Sequence, residues 1–435
     1  MTRTRRRGRR AVALAIGAAV AAGTLAACGA SADEGKPTLI WYVNPDPSKP
    51  AEFEGAFGQP GIAERCSTDQ YTIETQPLPQ DASQQRVQLI RRLAAEDPAI
   101  DLMSLDPVFT GELANADYLA DIPDDQAQQF ESRTLDGPID GASWDDNLVV
   151  APLWANTQLL WYRKSFAEKA DIDMSQPVTW DQIIKAASDN GGTVGVQANK
   201  YEGYAVWINA LVMGAGGDIV TDVEKGEDAK VTIDSEAGSA AAKVVSQLAS
   251  SPAAQPDLSV SNEGTSQAGF FTDTGAFLVN WTYIYAAAGA DKAILDDLGW
   301  TRYPRTTPDE ESRPPLGGIN IGVSAYSDNK DLALDALNCI TSIDNQVQYA
   351  VETGNMPASP AAYADADIKE KYPPELLQAF QDSLKAAGPR PVSPYWSDIS
   401  SAIQSSWHPP ASVSSQTPAD TADYIQQVLD GEALL

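Results

Sequence analysis

Histidine is almost missing from this chain of 435 residues, where His408 stands alone. A metal site built on several histidines is therefore excluded, and a Ser–His–Asp triad would have to be built on that one residue. Basic residues are scarce too: 30 Lys and Arg face 60 Asp and Glu, a formal charge of −30. Such a body repels phosphate, which argues against nucleic acid and anionic lipid as partners. Beyond the N-terminal segment there is no long apolar run, no internal repeat and no low-complexity linker. No zinc, P-loop, EF-hand or nucleophile-elbow motif stands out. What is present, 43% hydrophobic residues with 31 Gly and 29 Pro, describes a globular protein long enough for two or three domains. Two function classes survive: an enzyme restricted to carboxylates, such as a glycosidase, and a binding protein for a neutral or cationic ligand.

The N-terminus carries its own signal. Residues 2–10 hold six arginines and no acid, and residues 11–27 are small and apolar. This is the layout of an export signal, too short to span a bilayer, which needs about 20 residues. It ends in Leu25-Ala26-Ala27-Cys28-Gly29, which matches a bacterial lipobox. Residues 1–27 are then the signal peptide, Cys28 the lipidated residue and residues 28–36 a polar tether. The expected location is the outer face of the cell membrane, held by lipid on Cys28; Arg9-Arg10 also allow a twin-Arg route. Cys66 and Cys339 remain. In an oxidising compartment an even pair suggests a disulfide, with two buried thiols as the alternative.

Along the chain, Thr38–Val43, Tyr71–Leu78 and Ile100–Leu105 read as strands separated by helices. That βαβαβα order predicts a parallel sheet covered by helices. Asp81 or Ser83 caps the second helix, with Val87, Ile90 and Leu93 on its apolar face. Leu148–Tyr162 is apolar but interrupted by Pro152 and Asn156-Thr157-Gln158, and reads as two strands around a polar elbow. Gly214–Gly217 follow a helix instead of opening one, so they are a helix end and not a phosphate loop. The C-terminal third is mostly helical.

Three of the 10 tryptophans are expected at strand ends beside polar residues: Trp154 near Asn156, Trp281 after Asn280, and Trp396 near Arg390. Ligands of α/β sheets bind at strand ends, and an aromatic face beside Asn, Asp and Arg suits a sugar. Asp106 ends a strand before Pro107, and is either a helix cap or a cleft acceptor. Glu202 and Glu263 are each followed by Gly; they face the same cleft or lie in a solvated first turn. Arg390, in Gly388-Pro389-Arg390-Pro391, is either a fixed donor on a stiff loop or a surface ion-pair partner.

Taken with the exported, His-poor character, these features resemble the extracellular solute-binding proteins of ABC sugar importers, of the maltose-binding type. AFLVNWTYIYA and GINIGVSAYSDNKDLALDALNCI look like that family's crossover segments. The blocks at 84–114 (QQRVQLIRRLAAEDPAIDLMSLDPVFTGELA), 156–164 (NTQLLWYRK), 196–203 (VQANKYEG), 262–270 (NEGTSQAGF), 279–281 (VNW) and 316–321 (LGGINI) are similar to the trehalose-binding lipoproteins of mycobacteria. The resemblance implies an α/β, two-lobe periplasmic-binding-protein type II fold with the ligand cleft between lobes. Lobe one is expected over 37–155 and 283–343, lobe two over 156–282 and 344–435. It also implies Asp106, Asn156, Trp281, Gly318 and Arg390 as ligand contacts, with Gln84, Gln85, Asn209 and Glu263 beside them. The implied function is capture of an α-linked disaccharide, most of all trehalose, by a monomer without cofactor, catalysis or metal, for delivery to a membrane permease. The alternatives are a lipid-anchored glycosidase, or a binder of maltodextrins or a cationic small molecule.

Overall fold

The β-branched and aromatic run Thr38–Val43 forms the strand that its sequence predicts, with Leu39, Trp41 and Val43 fully buried. In the computed structural model, which describes residues 35–45 and 58–433, this strand pairs in parallel with Thr72–Pro77 on one side and Leu102–Leu105 on the other. The helices Gly58–Cys66 and Ala82–Leu93 make the crossovers. The expected parallel start is therefore borne out. Asp81 caps the second helix by accepting from Gln84 N at 2.9 Å. The buried stripe of that helix is Gln85, Leu89 and Leu93, spaced four residues apart. Val87, assigned to the apolar face from sequence, is exposed. Gln85 is buried in its stead because its amide donates to the Pro79 carbonyl at 2.8 Å.

The segment expected to be two strands around an elbow is one strand of 13 residues, Ala151–Arg163. Residues 151–157 pair antiparallel with Leu316–Val323, with a bulge between Ile319 and Asn320. Residues 158–163 pair with Gly275–Trp281 and Leu298–Thr301. The strand stays continuous because each half finds new partners, and the polar trio lies where the partners change. The full order is Thr72–Pro77, Thr38–Val43, Leu102–Leu105, Leu316–Val323, Ala151–Arg163, Gly275–Trp281, Thr193–Gly195, an eight-stranded sheet once Leu298–Thr301 is counted. One long strand thus joins two sheet halves, each covered by helices.

Gly214 caps the helix Glu202–Met213 and Gly216 turns with φ +79°, so the glycine run is the helix end that its position implied. Cys66 and Cys339 form a disulfide with Cα atoms 5.8 Å apart, tying the first crossover helix to Lys330–Ile340. After residue 343 the described chain is helical with loops. No helix among the described residues is long and apolar enough to cross a membrane. The signal segment and Cys28 lie outside the described residues.

Candidate functional site

A cleft of about 300 Å³ opens where the long strand changes partners. Its walls come from strand ends and from the first turns of two helices, as expected for an α/β sheet. Asp106 follows the strand Leu102–Leu105, and its carboxylate accepts from Val108 N at 3.2 Å. It also faces the cleft, so the cap and the cleft assignments hold together. Across from it, Arg390 donates from Nη2 to Asp106 Oδ1 at 2.5 Å and from Nη1 to Glu202 Oε1 at 2.7 Å.

Glu202 is buried, not the solvated first-turn residue that was one of its sequence readings. It accepts from Trp396 Nε1 at 2.9 Å and from Ser400 Oγ at 2.6 Å as well as from Arg390. Burial pushes its carboxyl above the ordinary range, and the neighbouring guanidinium opposes that. For Arg390, burial alone would favour loss of the proton; the Asp106 and Glu202 carboxylates more than offset it and hold the guanidinium charged. Arg390 is accordingly a buried, doubly paired cation and not a surface ion pair. Its Nε remains without a partner.

The opposite wall is built around Trp281, at the end of Gly275–Trp281. A side chain on Gly317 would lie 2.7 Å from the Trp281 ring and 2.8 Å from Asn156 Oδ1, so only glycine leaves room for both. Gly318 has φ +145°, and a Cβ there would lie 2.3 Å from the Trp154 carbonyl oxygen. Trp154 lines the cleft floor and stacks on Tyr349, with ring centroids 4.7 Å apart. Asn156 Oδ1 is buried here without a hydrogen-bond partner, and the buried Tyr201 hydroxyl lies against the Glu263 carboxylate.

Behind Trp281 runs a buried amide network. Gln158 donates to Gln197, Gln197 to Asn280 Oδ1, and Asn280 to the Glu263 carbonyl at 3.0 Å. The Tyr283 hydroxyl bonds the same carbonyl at 3.1 Å. Both bonds fix the first turn of Glu263–Phe270, whose side chains Glu263 and Thr265 face the cleft. Burial, then the nearby Asp81 and Asp106 charges, hold the Glu263 carboxyl above its ordinary range.

Of the residues singled out from sequence, Asp106, Asn156, Trp281, Gly318, Arg390, Gln85 and Glu263 all line this cleft. Gln84 and Asn209 do not. Gln84 faces solvent, and Asn209 is buried behind the wall, where it donates to the Pro389 carbonyl at 3.3 Å and braces the Arg390 loop. Trp396 is not at a strand end; it opens a helix and is fully buried. Sequence reading missed Gly317, Tyr201, Asn262 and Asn355 as wall residues. Gly317 had a signal, since a second glycine beside Gly318 is unusual inside a strand. Asn355 had none, being placed by long-range packing alone.

Residues 54–347 match the family model of the bacterial extracellular solute-binding protein. A probable ABC transporter-binding protein of Deinococcus radiodurans is 24% identical over 74% of this chain and 77% of its own. The diacetylchitobiose binding protein DasA of Streptomyces coelicolor is 24% identical over 96% of this chain and 97% of its own. Among solved structures, maltose-bound MalE3 of T. maritima superposes with a TM-score of 0.78 at 22% identity, covering 91% of this chain and all of that one. The GacH receptor of Streptomyces glaucescens, solved unliganded and with acarbose, gives a TM-score of 0.76 at 21% identity, covering 92% of this chain and all of that one. These likenesses carry the fold, a two-lobe α/β binding protein, and the family match spans well over half of the sequence. The chain belongs to the bacterial extracellular solute-binding proteins, a family of binders and not of glycosidases.

Proposed function

We propose that this protein is the solute receptor of an ABC importer, and that its solute is an α-linked disaccharide, trehalose. The observation that carries this is the cleft itself: one aromatic face, Trp281, set among Asp106, Asn156, Glu263 and Arg390, with Asn156 Oδ1 and Arg390 Nε buried and unpartnered. Buried polar atoms normally find partners, so these await a ligand rich in hydroxyls. At about 300 Å³ the cleft is at the lower end of ligand pockets, which favours a small solute over a long maltodextrin. Sugar-binding relatives, for diacetylchitobiose, maltose and acarbose, support the class.

In this reading lobe one comprises 37–155 and 283–343, and lobe two 156–282 and 344–435. Asp106 then belongs to one lobe and Arg390 with Glu202 to the other, so their ion pair crosses the cleft in the closed form. Trp281 packs on a sugar face, Asp106 and Glu263 accept from hydroxyls, and Asn156 both donates and accepts. Arg390 contributes chiefly by aiming Asp106, with Nε as its free donor. Lipid on Cys28 holds the receptor to the membrane, beside the permease that takes over the sugar.

The test is calorimetry of the purified protein against trehalose and other disaccharides, followed by product analysis. Saturable binding with the disaccharide recovered intact is the expected result. Binding of a different sugar only would sink trehalose, and cleavage would sink the receptor.

A further inference from the structure

We infer that the cleft selects its solute by charge: it takes neutral sugars, takes an aminated sugar more tightly still, and rejects phosphorylated or carboxylated ones. The inference rests on the reading of the solute as a sugar.

Among the described residues four charged side chains line the cleft, Asp106, Glu202, Glu263 and Arg390. The single guanidinium is shared by the carboxylates of Asp106 and Glu202. Glu263 has no Lys or Arg within ion-pair distance among the described residues, and its neighbours are the further carboxylates Asp81 and Asp106. Arg86, the other arginine nearby, is committed to Glu112. Among the described residues, three carboxylates against one cation leave the wall negative.

The two helix N-termini that face the cleft would ordinarily attract an anion. Here each carries a protein carboxylate in its first turn, Glu202 on Glu202–Met213 and Glu263 on Glu263–Phe270. Some of the donors at these ends are also engaged within the protein. Glu202 N donates to Ser83 Oγ at 3.2 Å. Thr265 N donates to Asn262 Oδ1 at 3.0 Å, and Asn262 N to Thr265 Oγ1 at 2.8 Å. A phosphate brought to these helix ends would meet a carboxylate at each. An ammonium, which only donates, would find the Glu263 carboxylate and the buried, unpartnered Asn156 Oδ1.

The test uses the purified full-length receptor and calorimetry with three probes. These are trehalose, trehalose with one hydroxyl replaced by an amine at each position in turn, and trehalose phosphorylated on a primary hydroxyl. At neutral pH and low salt at least one amine isomer should bind about tenfold or more tighter than trehalose, the worth of a buried charge-assisted bond. The gain should shrink as salt rises, and disappear in acid as Glu263 takes a proton. In Glu263→Gln the ratio of amine to trehalose affinity should collapse towards one. The phosphate should bind at least about tenfold more weakly than trehalose. The inference is overturned if every amine isomer binds no better than trehalose, if the gain survives Glu263→Gln, or if the phosphate binds as well as trehalose. No binding of any of the three overturns the trehalose reading itself, a result separate from binding without charge discrimination.

Discussion

Replacing Glu202 by alanine should be among the most destabilising single changes in the cleft wall. The carboxylate is 2% exposed and accepts from three donors: Arg390 Nη1, Trp396 Nε1 and Ser400 Oγ. Breaking a buried ion pair by removing one partner costs about 3–5 kcal/mol, because a buried charge is left without compensation. Arg390 keeps Asp106, whose side chain is 19% exposed, which pulls the electrostatic part towards the low end of that range. Two neutral donors left unpaired add about 1–3 kcal/mol each where nothing else reaches them. A loss of about 5 kcal/mol is therefore expected from urea unfolding of wild type and Glu202→Ala at neutral pH. The informative control is the double variant Glu202→Ala with Arg390→Met. It removes the fully buried guanidinium that Asp106 alone only half satisfies and leaves Asp106, 19% exposed, to solvent, so its stability should exceed that of the single variant although one more native side chain is gone. A single-variant loss below about 1 kcal/mol, or a double variant no more stable than the single, would refute the reasoning.

Gly317→Ala should drive a methyl into Trp281 and Asn156, weakening solute binding roughly tenfold or more while far-UV circular dichroism stays native. Replacing Cys66 and Cys339 by serine should cost about 2–5 kcal/mol of stability in denaturant titration and leave affinity unchanged, since the bond lies outside the cleft wall. The pH dependence of Glu263 has a definite sign. Its folded carboxyl is raised above the ordinary 4.5, so the folded state holds the proton more tightly. The stability it contributes is fully present below the unfolded value and is lost as pH rises through the folded one. Glu263→Gln should therefore remove a downward slope of stability with rising pH in that window; an unchanged slope would contradict the burial argument.

Much of the first half was legible because local chemistry and global packing agree there. Thr38–Val43 is apolar and mostly buried, Asp81 is a good cap for the backbone amide of Gln84 three residues on, and both appear as expected. Sequence reading failed where tertiary pairing overrides local pattern. Pro152 and Asn156-Thr157-Gln158 look like a break, yet the strand runs on because Leu316–Val323 and Gly275–Trp281 take it in turn. In the site, the residue types were readable but their wiring was not. Arg390 and Glu202 lie 188 positions apart in the chain, and no spacing rule could show that they share a hydrogen bond. Asn209 and Trp396 carry the right chemistry, yet face the back of the wall, where they brace Arg390 and Glu202.

The central claim is that the cleft closes on a neutral α-linked disaccharide held between Asp106 and Trp281. Calorimetric titration of trehalose into wild type, Asp106→Ala and Trp281→Ala tests it most directly. Saturable one-to-one binding is expected in the wild type. Asp106→Ala should weaken it by roughly ten- to a hundredfold, and Trp281→Ala by at least tenfold or so, with the fold intact. No heat with millimolar trehalose, alongside a clear response to maltose or diacetylchitobiose, would contradict it, as would full affinity in both variants.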